Sequence, residues 1–233
     1  MKTLVINGCS FGQVWNPSME FLQELGCDVV VNLSKPGTSF QRTCRSTVEW
    51  VAQHGSPDFV MIPITYAHRW ELPAGDGTKF DNIDGNWIPV QTPKAMQGNK
   101  SAEIRQKYGQ NKLHELSRLY YELIPFTTGY WDKLFMEIVL LCDFLQQRNI
   151  PYLMWDMCND FDPKILIDHP HIQKAKIIQK NRRVIDIFSF CGNKHMWRSK
   201  GAPHDEDFNQ HHLPQEYRIL EKYLVNYIDE RLR

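Results

Sequence analysis

A chain of 233 residues, 42% of them hydrophobic, is long enough to bury one sizeable core and falls within the range of a single α/β domain. Lysine plus arginine and aspartate plus glutamate stand at 27 each, so no net field draws the chain toward nucleic acid or an anionic membrane, and a small or neutral substrate fits better. Six cysteines (Cys9, Cys27, Cys44, Cys142, Cys158 and Cys191) include no Cys-x-x-Cys pair, which speaks against a zinc ribbon or a dense disulfide framework and leaves reduced, mostly buried thiols as the expectation.

In chain order, Met1-Lys2-Thr3-Leu4-Val5-Ile6-Asn7-Gly8 holds an apolar run far too short for the core of a signal peptide, and no later run approaches a membrane-spanning length; the expected location is the cytoplasm. Continuous apolar runs recur at Thr3–Ile6, Asp28–Asn32, Asp58–Ile64, Tyr152–Trp155 and Val184–Phe188. Runs of this kind, bounded by polar or turn residues, read as five strands buried on both faces of a parallel sheet.

Between them, Phe40, Cys44, Thr47, Val48 and Val51 carry helical spacing, and Gly55 follows as a left-handed cap. Trp131, Leu134, Phe135, Ile138, Cys142 and Leu145 form a second stripe, with Pro151 shortly after to stop it. A last helix begins at Pro214 and sets Tyr217, Leu220, Leu224, Tyr227 and Ile228 on one face. Alternating strands and helices imply a doubly wound, flavodoxin-like parallel sheet in one domain over residues 1–233, with ligands at the carboxyl ends of the strands.

One stretch breaks the alternation. Pro73 to Lys100 is rich in Gly, Asn, Asp and Pro, and a polar segment from Ser101 to Leu123 with helical character follows; residues 73–130 read as an insertion, either a lid or a surface excursion.

Chemistry concentrates at the strand ends. Thr3–Ile6 runs into Asn7-Gly8-Cys9-Ser10-Phe11-Gly12, which puts Ser10 at the carboxyl end of the first strand with a glycine on either side. A serine there can project into the crevice, while Gly8 and Gly12 permit a tight turn and close backbone approach by a ligand. The structural alternative is a turn serine capping the next helix. Gly8-x-x-x-Gly12 lacks both the Walker lysine and the dinucleotide glycine pattern, so no phosphate-cradling loop and no cofactor is expected.

Gly8-Cys9-Ser10-Phe11 resembles the first block of the SGNH/GDSL hydrolases, Gly-Asp-Ser-Leu or a close variant directly after strand one, with Cys9 in place of the usual aspartate. That family's second block is a glycine after strand two whose N–H helps hold an oxyanion. Gly37, in Asn32-Leu33-Ser34-Lys35-Pro36-Gly37-Thr38-Ser39, has that place just before a helix, though Pro36-Gly37 also reads as an ordinary turn. In the third block an asparagine donates to the same oxyanion. Here Ile62-Pro63-Ile64-Thr65-Tyr66-Ala67-His68-Arg69-Trp70-Glu71 offers Thr65 or Arg69 instead, with an Arg69 ion pair to Glu71 or another carboxylate as the structural alternative.

The ending of the family, Asp-x-x-His before the last helix, is similar to the tail from Pro203 to Leu220. Placing His211 as the general base brings Pro214, Tyr217 and Leu220 into register with that ending; His212 is the alternative base, and Asp207 is the nearest acid to orient either. The resemblance spans nearly the whole chain outside the insertion and is closest to compact SGNH-like proteins of phage and bacterial genomes. It implies a serine esterase acting on an acyl or acetyl ester, such as that of a carbohydrate, with Ser10 as nucleophile and the Ser10 and Gly37 N–H groups as oxyanion donors.

Two other functions compete. A binding module would keep the crevice for a glycan or nucleoside without catalysing, because Cys9, Thr65 and Phe208 or Asn209 stand at altered family positions. A metal-dependent hydrolase would use His204, Asp205, Asp207, His211 and His212, with His169 and His171, although no His-Glu-x-x-His or comparable spacing is present and no metal ligand is assigned. Tyr66, Trp70, Trp87, Tyr130 and Trp197 lie in or near expected loops and could stack on a sugar or base, or simply fill core and rim.

Overall fold

The computed structural model describes residues 1–73, 87–90, 110–123, 128–156 and 214–231. The chain begins with β1 (Thr3–Ile6), passes through α1 (Ser10–Val14) and α2 (Met19–Leu25), and returns as β2 (Val29–Asn32). Helix α3 (Phe40–His54) leads to β3 (Phe59–Ile64), and an antiparallel pair follows, β4 (Trp70–Pro73) with β5 (Trp87–Val90). Helices α4 (Gln110–Leu123) and α5 (Thr128–Gln147) precede β6 (Tyr152–Asp156), and α6 (Pro214–Arg231) is the last described element.

Four of these strands form a parallel sheet in the order β2-β1-β3-β6. Side chains of a strand alternate between faces, and the core divides accordingly. Val5, Val60, Ile62, Ile64, Tyr152 and Met154 pack on one side against α3 and α5, through Phe40, Val51, Leu134, Phe135 and Ile138. Leu4, Ile6, Met61, Leu153 and Trp155 pack on the other side against Trp15, Phe21 and Leu22 and against Tyr217, Leu220, Leu224 and Ile228 of α6. A strand covered on both faces cannot alternate apolar with polar, which is why these segments read as unbroken apolar runs. Each fully buried aliphatic side chain contributes roughly 1.5–3 kcal/mol, so the two layers together dominate the stability.

At the amino edge, Asp28 and Asp58 lie just outside their strands. Their carboxylates accept the backbone N–H groups of Lys2 at 2.8 Å and Thr3 at 2.7 Å, and their own N–H groups donate to the Lys2 carbonyl at 2.8 Å and the Thr3 carbonyl at 3.0 Å, so an aspartate counted at the start of each run ties the entry of its strand to the entry of β1.

Other local expectations need correction. Gly55 follows α3 with φ 86° and ψ −174°, a glycine backbone but not the left-handed helical one. Helix α5 ends well before Pro151: Asn149 takes φ 54°, with Asn149 N–H donating to Gln146 and Ile150 N–H to Leu145, both at 2.9 Å. Those two bonds are a Schellman motif, and the buried Leu145 and Ile150 supply its apolar contact. Within the expected insertion, Trp87–Val90 is a strand paired antiparallel with Trp70–Pro73. The expected fifth strand, Val184–Phe188, lies outside the described residues, as do residues 74–86, 91–109 and 124–127 of the insertion.

Candidate functional site

The strand order places a reversal beside β1. From β1 the chain crosses to β2 through α1 and α2 on one face, then passes back over β1 to β3 through α3 on the other. The crevice at the carboxyl ends of β1 and β3 is therefore the topological switch point, where doubly wound sheets bind ligands. Ser10, Gly37, Thr65 and Arg69 all belong to segments that leave β1, β2 and β3 at this edge.

Ser10 is the first residue of α1 and is half-buried. Cys9, fully buried and extended, holds the capping position and makes no side-chain cap bond. Among the described residues the Ser10 hydroxyl has no hydrogen-bond partner, so the helix-capping reading of this serine does not hold. Capping falls instead to Ser18, whose hydroxyl accepts the Phe21 N–H at 3.1 Å at the start of α2.

Close packing holds the Ser10 turn. A Cβ on Gly8 would lie 2.8 Å from Pro63 Cγ, and one on Gly12 would lie 2.5 Å from Ser34 Oγ. Only glycines let the turn nest between the β2 loop and β3. Asn32 Nδ2 donates to the Gly12 carbonyl at 2.9 Å, Asn32 Oδ1 accepts the Ser34 N–H at 3.0 Å, and Lys35 N–H donates to the Gly8 carbonyl at 3.1 Å. The turns after β1 and β2 are thus one hydrogen-bonded unit.

Beneath it lies a buried polar cluster that sequence reasoning missed. Asn7 Nδ2 faces the Thr43 carbonyl at 3.0 Å and the Ser46 and Thr47 hydroxyls at 2.8 Å each, while its Oδ1 accepts from Arg42 Nη1 at 3.3 Å. Asn7, Thr43 and Thr47 are fully buried, and Arg42 nearly so. These bonds lock the end of β1 to the first turns of α3 and so fix where the chain enters the Ser10 turn. The available signal was a polar Asn7 ending a wholly apolar run, together with Arg42, Thr43, Ser46 and Thr47 on a helix that must cross the sheet.

Gly37 sits in a turn with Pro36, at φ 71°, three residues before α3 rather than at its first N–H groups; Ser39 caps that helix by accepting the Arg42 N–H at 3.2 Å. Proline then glycine with positive φ matches the central pair of a type II turn. From here a hydrogen-bonded chain leads to the third loop: Thr65 Oγ1 donates to the Thr38 carbonyl at 3.3 Å, and Arg69 Nη1 donates to Thr65 Oγ1 at 3.3 Å. The structure therefore brings the neighbour of Gly37, Thr65 and Arg69 together. It also engages the one Thr65 hydroxyl proton with a backbone carbonyl, inside a fully buried residue.

The Arg69 guanidinium lies 4.6 Å from the centre of the Tyr66 ring, a cation–π contact. Arg69 does not pair with Glu71, which instead meets Arg45 at 3.3 Å. Next to Arg69, His68 is held neutral, its pKa lowered to about 4 by burial first and by the Arg69 charge second. Tyr121 donates its hydroxyl to the His68 carbonyl at 3.2 Å, and Trp70 stacks on Tyr120 at 4.6 Å, which seats α4 against this loop. Of the aromatics named from sequence, Trp70, Trp87 beneath Arg45, and buried Tyr130 pack within the protein, and Tyr66 carries Arg69. Trp197 lies outside the described residues, as do His204, Asp205, Asp207, His211, His212, His169 and His171.

Among the described residues no cluster of His, Cys, Asp and Glu side chains could hold a metal ion, and no helix is long and apolar enough to cross a membrane. Cys27, Cys44 and Cys142 are free thiols, and burial raises the pKa of each.

Fold and crevice define an α/β protein with a parallel, doubly wound sheet whose first three strand-end loops converge at the switch point. Solved structures similar to the chain include the psychrotrophic esterase EstA from Pseudoalteromonas sp., in a structure inhibited by monoethylphosphonate, at 10% identity and TM-score 0.48, covering 100% of this chain and 99% of that one. TesA matches at 10% identity and TM-score 0.43, covering 100% and 98%. The acetyl xylan esterase AlAXEase matches at 12% identity and TM-score 0.45, covering 98% of each chain. No protein-family model and no curated protein matches the sequence.

Proposed function

We propose that the protein is a serine ester hydrolase of SGNH/GDSL type, acting on an acyl or acetyl ester of a small molecule or glycan. The observation that carries this reading is Ser10: half-buried at the switch-point edge, held by two glycines in a packed turn, with its hydroxyl bonded to no described residue. A structural serine in such a turn would ordinarily spend its hydroxyl on a cap.

In the reaction, Ser10 Oγ attacks the ester carbonyl carbon and His211 takes the hydroxyl proton. The Ser10 and Gly37 N–H groups hold the oxyanion of the tetrahedral intermediate. His211 then returns the proton to the leaving alcohol, and water releases the acyl group from Ser10 by the same steps. Asp207 orients His211, and His212 is the alternative base. Because the Thr65 proton bonds to Thr38, Thr65 serves best as a support for Arg69, which binds substrate.

That engagement of Thr65 also favours a second reading, a glycan- or nucleoside-binding module on the same crevice without turnover. Hydrolysis of 4-nitrophenyl acetate by the wild type and Ser10→Ala separates the two. The hydrolase reading expects turnover that falls by at least about a thousandfold in the variant, with an unchanged circular dichroism spectrum. Undiminished turnover in Ser10→Ala, or none in the wild type across short-chain aryl esters, overturns it.

A further inference from the structure

Among the described residues, Arg69 is a cation that meets no acid. Acidic side chains near its loop are matched to other bases: Glu71 to Arg45 at 3.3 Å, and Glu137 to Lys133 at 3.6 Å. Lys133 in turn reaches the Arg69 carbonyl at 3.5 Å, not its guanidinium region. Among the described residues no carboxylate meets Arg69. Leaving a half-buried guanidinium unpaired costs stability, and the fold nonetheless holds it in place from two sides. Thr65 Oγ1 takes one N–H of Nη1, and the guanidinium carbon lies over the Tyr66 ring, 4.6 Å from its centre.

A guanidinium carries five N–H donors in a rigid fork, and a single bond to Thr65 leaves an edge for a planar or tetrahedral anion. Two hydrogen bonds connect that fork to the Thr38 carbonyl, beside Gly37, so it adjoins the loop expected to hold the reacting carbonyl. His68, uncharged at neutral pH, adds no competing cation at the next position.

We propose that Arg69 is the recognition site for an acidic group, a carboxylate or a phosphate, on the substrate, with the Tyr66 ring as its platform. The hydrolase reading supplies the ester; Arg69 supplies the requirement that this ester be carried on an acidic molecule. Arg69 acts here as a specificity residue and moves no proton.

The experiment compares kcat/KM for 4-acetoxybenzoate and 4-acetoxyphenyl phosphate with that for the uncharged 4-acetoxybenzamide, in the wild type, Arg69→Gln and Arg69→Lys. The wild type is expected to prefer at least one acidic ester by about tenfold or more, and the preferred one identifies the anion. In Arg69→Gln that ratio collapses toward one, through KM, and Arg69→Lys keeps an intermediate ratio because it keeps the charge without the fork. No preference in the wild type, or a ratio that survives in Arg69→Gln, overturns the proposal.

If the wild type hydrolyses none of the three esters, the hydrolase reading falls and the anion site is judged by binding. Calorimetric titration with benzoate and phenyl phosphate then supports the site if saturable binding is present in the wild type and lost in Arg69→Gln, and overturns it if the wild type binds neither.

Discussion

Trp15 donates its indole N–H to Glu221 Oε1 at 3.1 Å and so joins the segment that follows Ser10 to the last helix of the chain. Glu221, almost wholly buried, also accepts the Ser18 N–H at 3.0 Å, the Ser18 hydroxyl at 2.7 Å and Arg218 Nη1 at 2.7 Å. Trp15 stacks on Tyr217 and meets Trp155 edge-on. The helix that begins just after His211 and His212 is thereby fastened to the helix that begins at Ser10.

Glu221→Ala removes the acceptor from four donors, and the buried ones among them keep their desolvation cost without a partner. The variant is expected to lose about 3 kcal/mol of stability, read as a lower urea midpoint at an unchanged slope. A shift under about half a kcal/mol would show that α6 is held by its apolar face alone.

Gly12→Ala tests the packing of the Ser10 turn. Its new Cβ meets Ser34 Oγ at 2.5 Å and Ser34 Cβ at 3.1 Å, so overpacking should cost about 1–3 kcal/mol and displace the turn. Replacing Ser34 by Gly in the same chain removes both atoms and should recover part of the loss, leaving a coupling of about 1 kcal/mol in a double-mutant cycle. Strict additivity would mean that the two loops do not touch as described; unfolding of all four proteins in urea provides the measurement.

Acid sensitivity should arise in part from His68. Its folded pKa is about 4 against an unfolded value near 6.5, because burial and then Arg69 disfavour the imidazolium. Between those values the unfolded chain binds a proton that the folded chain does not, so stability is unaffected above about pH 6.5 and falls as pH drops toward 4. With partial solvent access, about 2 kcal/mol is expected over that window. His68→Gln should flatten this part of the pH profile relative to wild type, whereas parallel profiles would assign the slope to other groups.

The two tail histidines make an unequal pair under the hydrolase reading. His211→Gln is expected to lower kcat by about a thousandfold or more, and His212→Gln by less than about tenfold. Reversed effects would move the base to His212, and two small effects would remove the tail from catalysis.

Much of the fold was legible because its physics is local. Strands buried on both faces must be apolar throughout, so Leu4 to Ile6, Val60 to Ile64 and Tyr152 to Trp155 announced themselves, and the stripes of α3, α5 and α6 did so by their period. Helix stops were less legible: Asn149 ended α5 before Pro151 could, because a left-handed residue stops a helix as well as a proline does and composition does not say which acts first. The pairing of Trp70–Pro73 with Trp87–Val90 was not legible because Trp87–Val90 does not alternate and the connection between the two segments is rich in turn residues.

For the site, sequence alone determined which residues leave the carboxyl ends of the first three strands: Ser10, Gly37, Thr65 and Arg69 follow their apolar runs at fixed short distances, and chain order cannot alter that. Tertiary structure decided what each is free to do. Whether the Thr65 proton is committed to Thr38 and whether Glu71 chooses Arg45 over Arg69 depend on groups 26 or more residues apart in the chain. A hydrogen bond is made at about 3 Å whatever the sequence separation, so only the packed sheet and its covering helices could bring those partners into range.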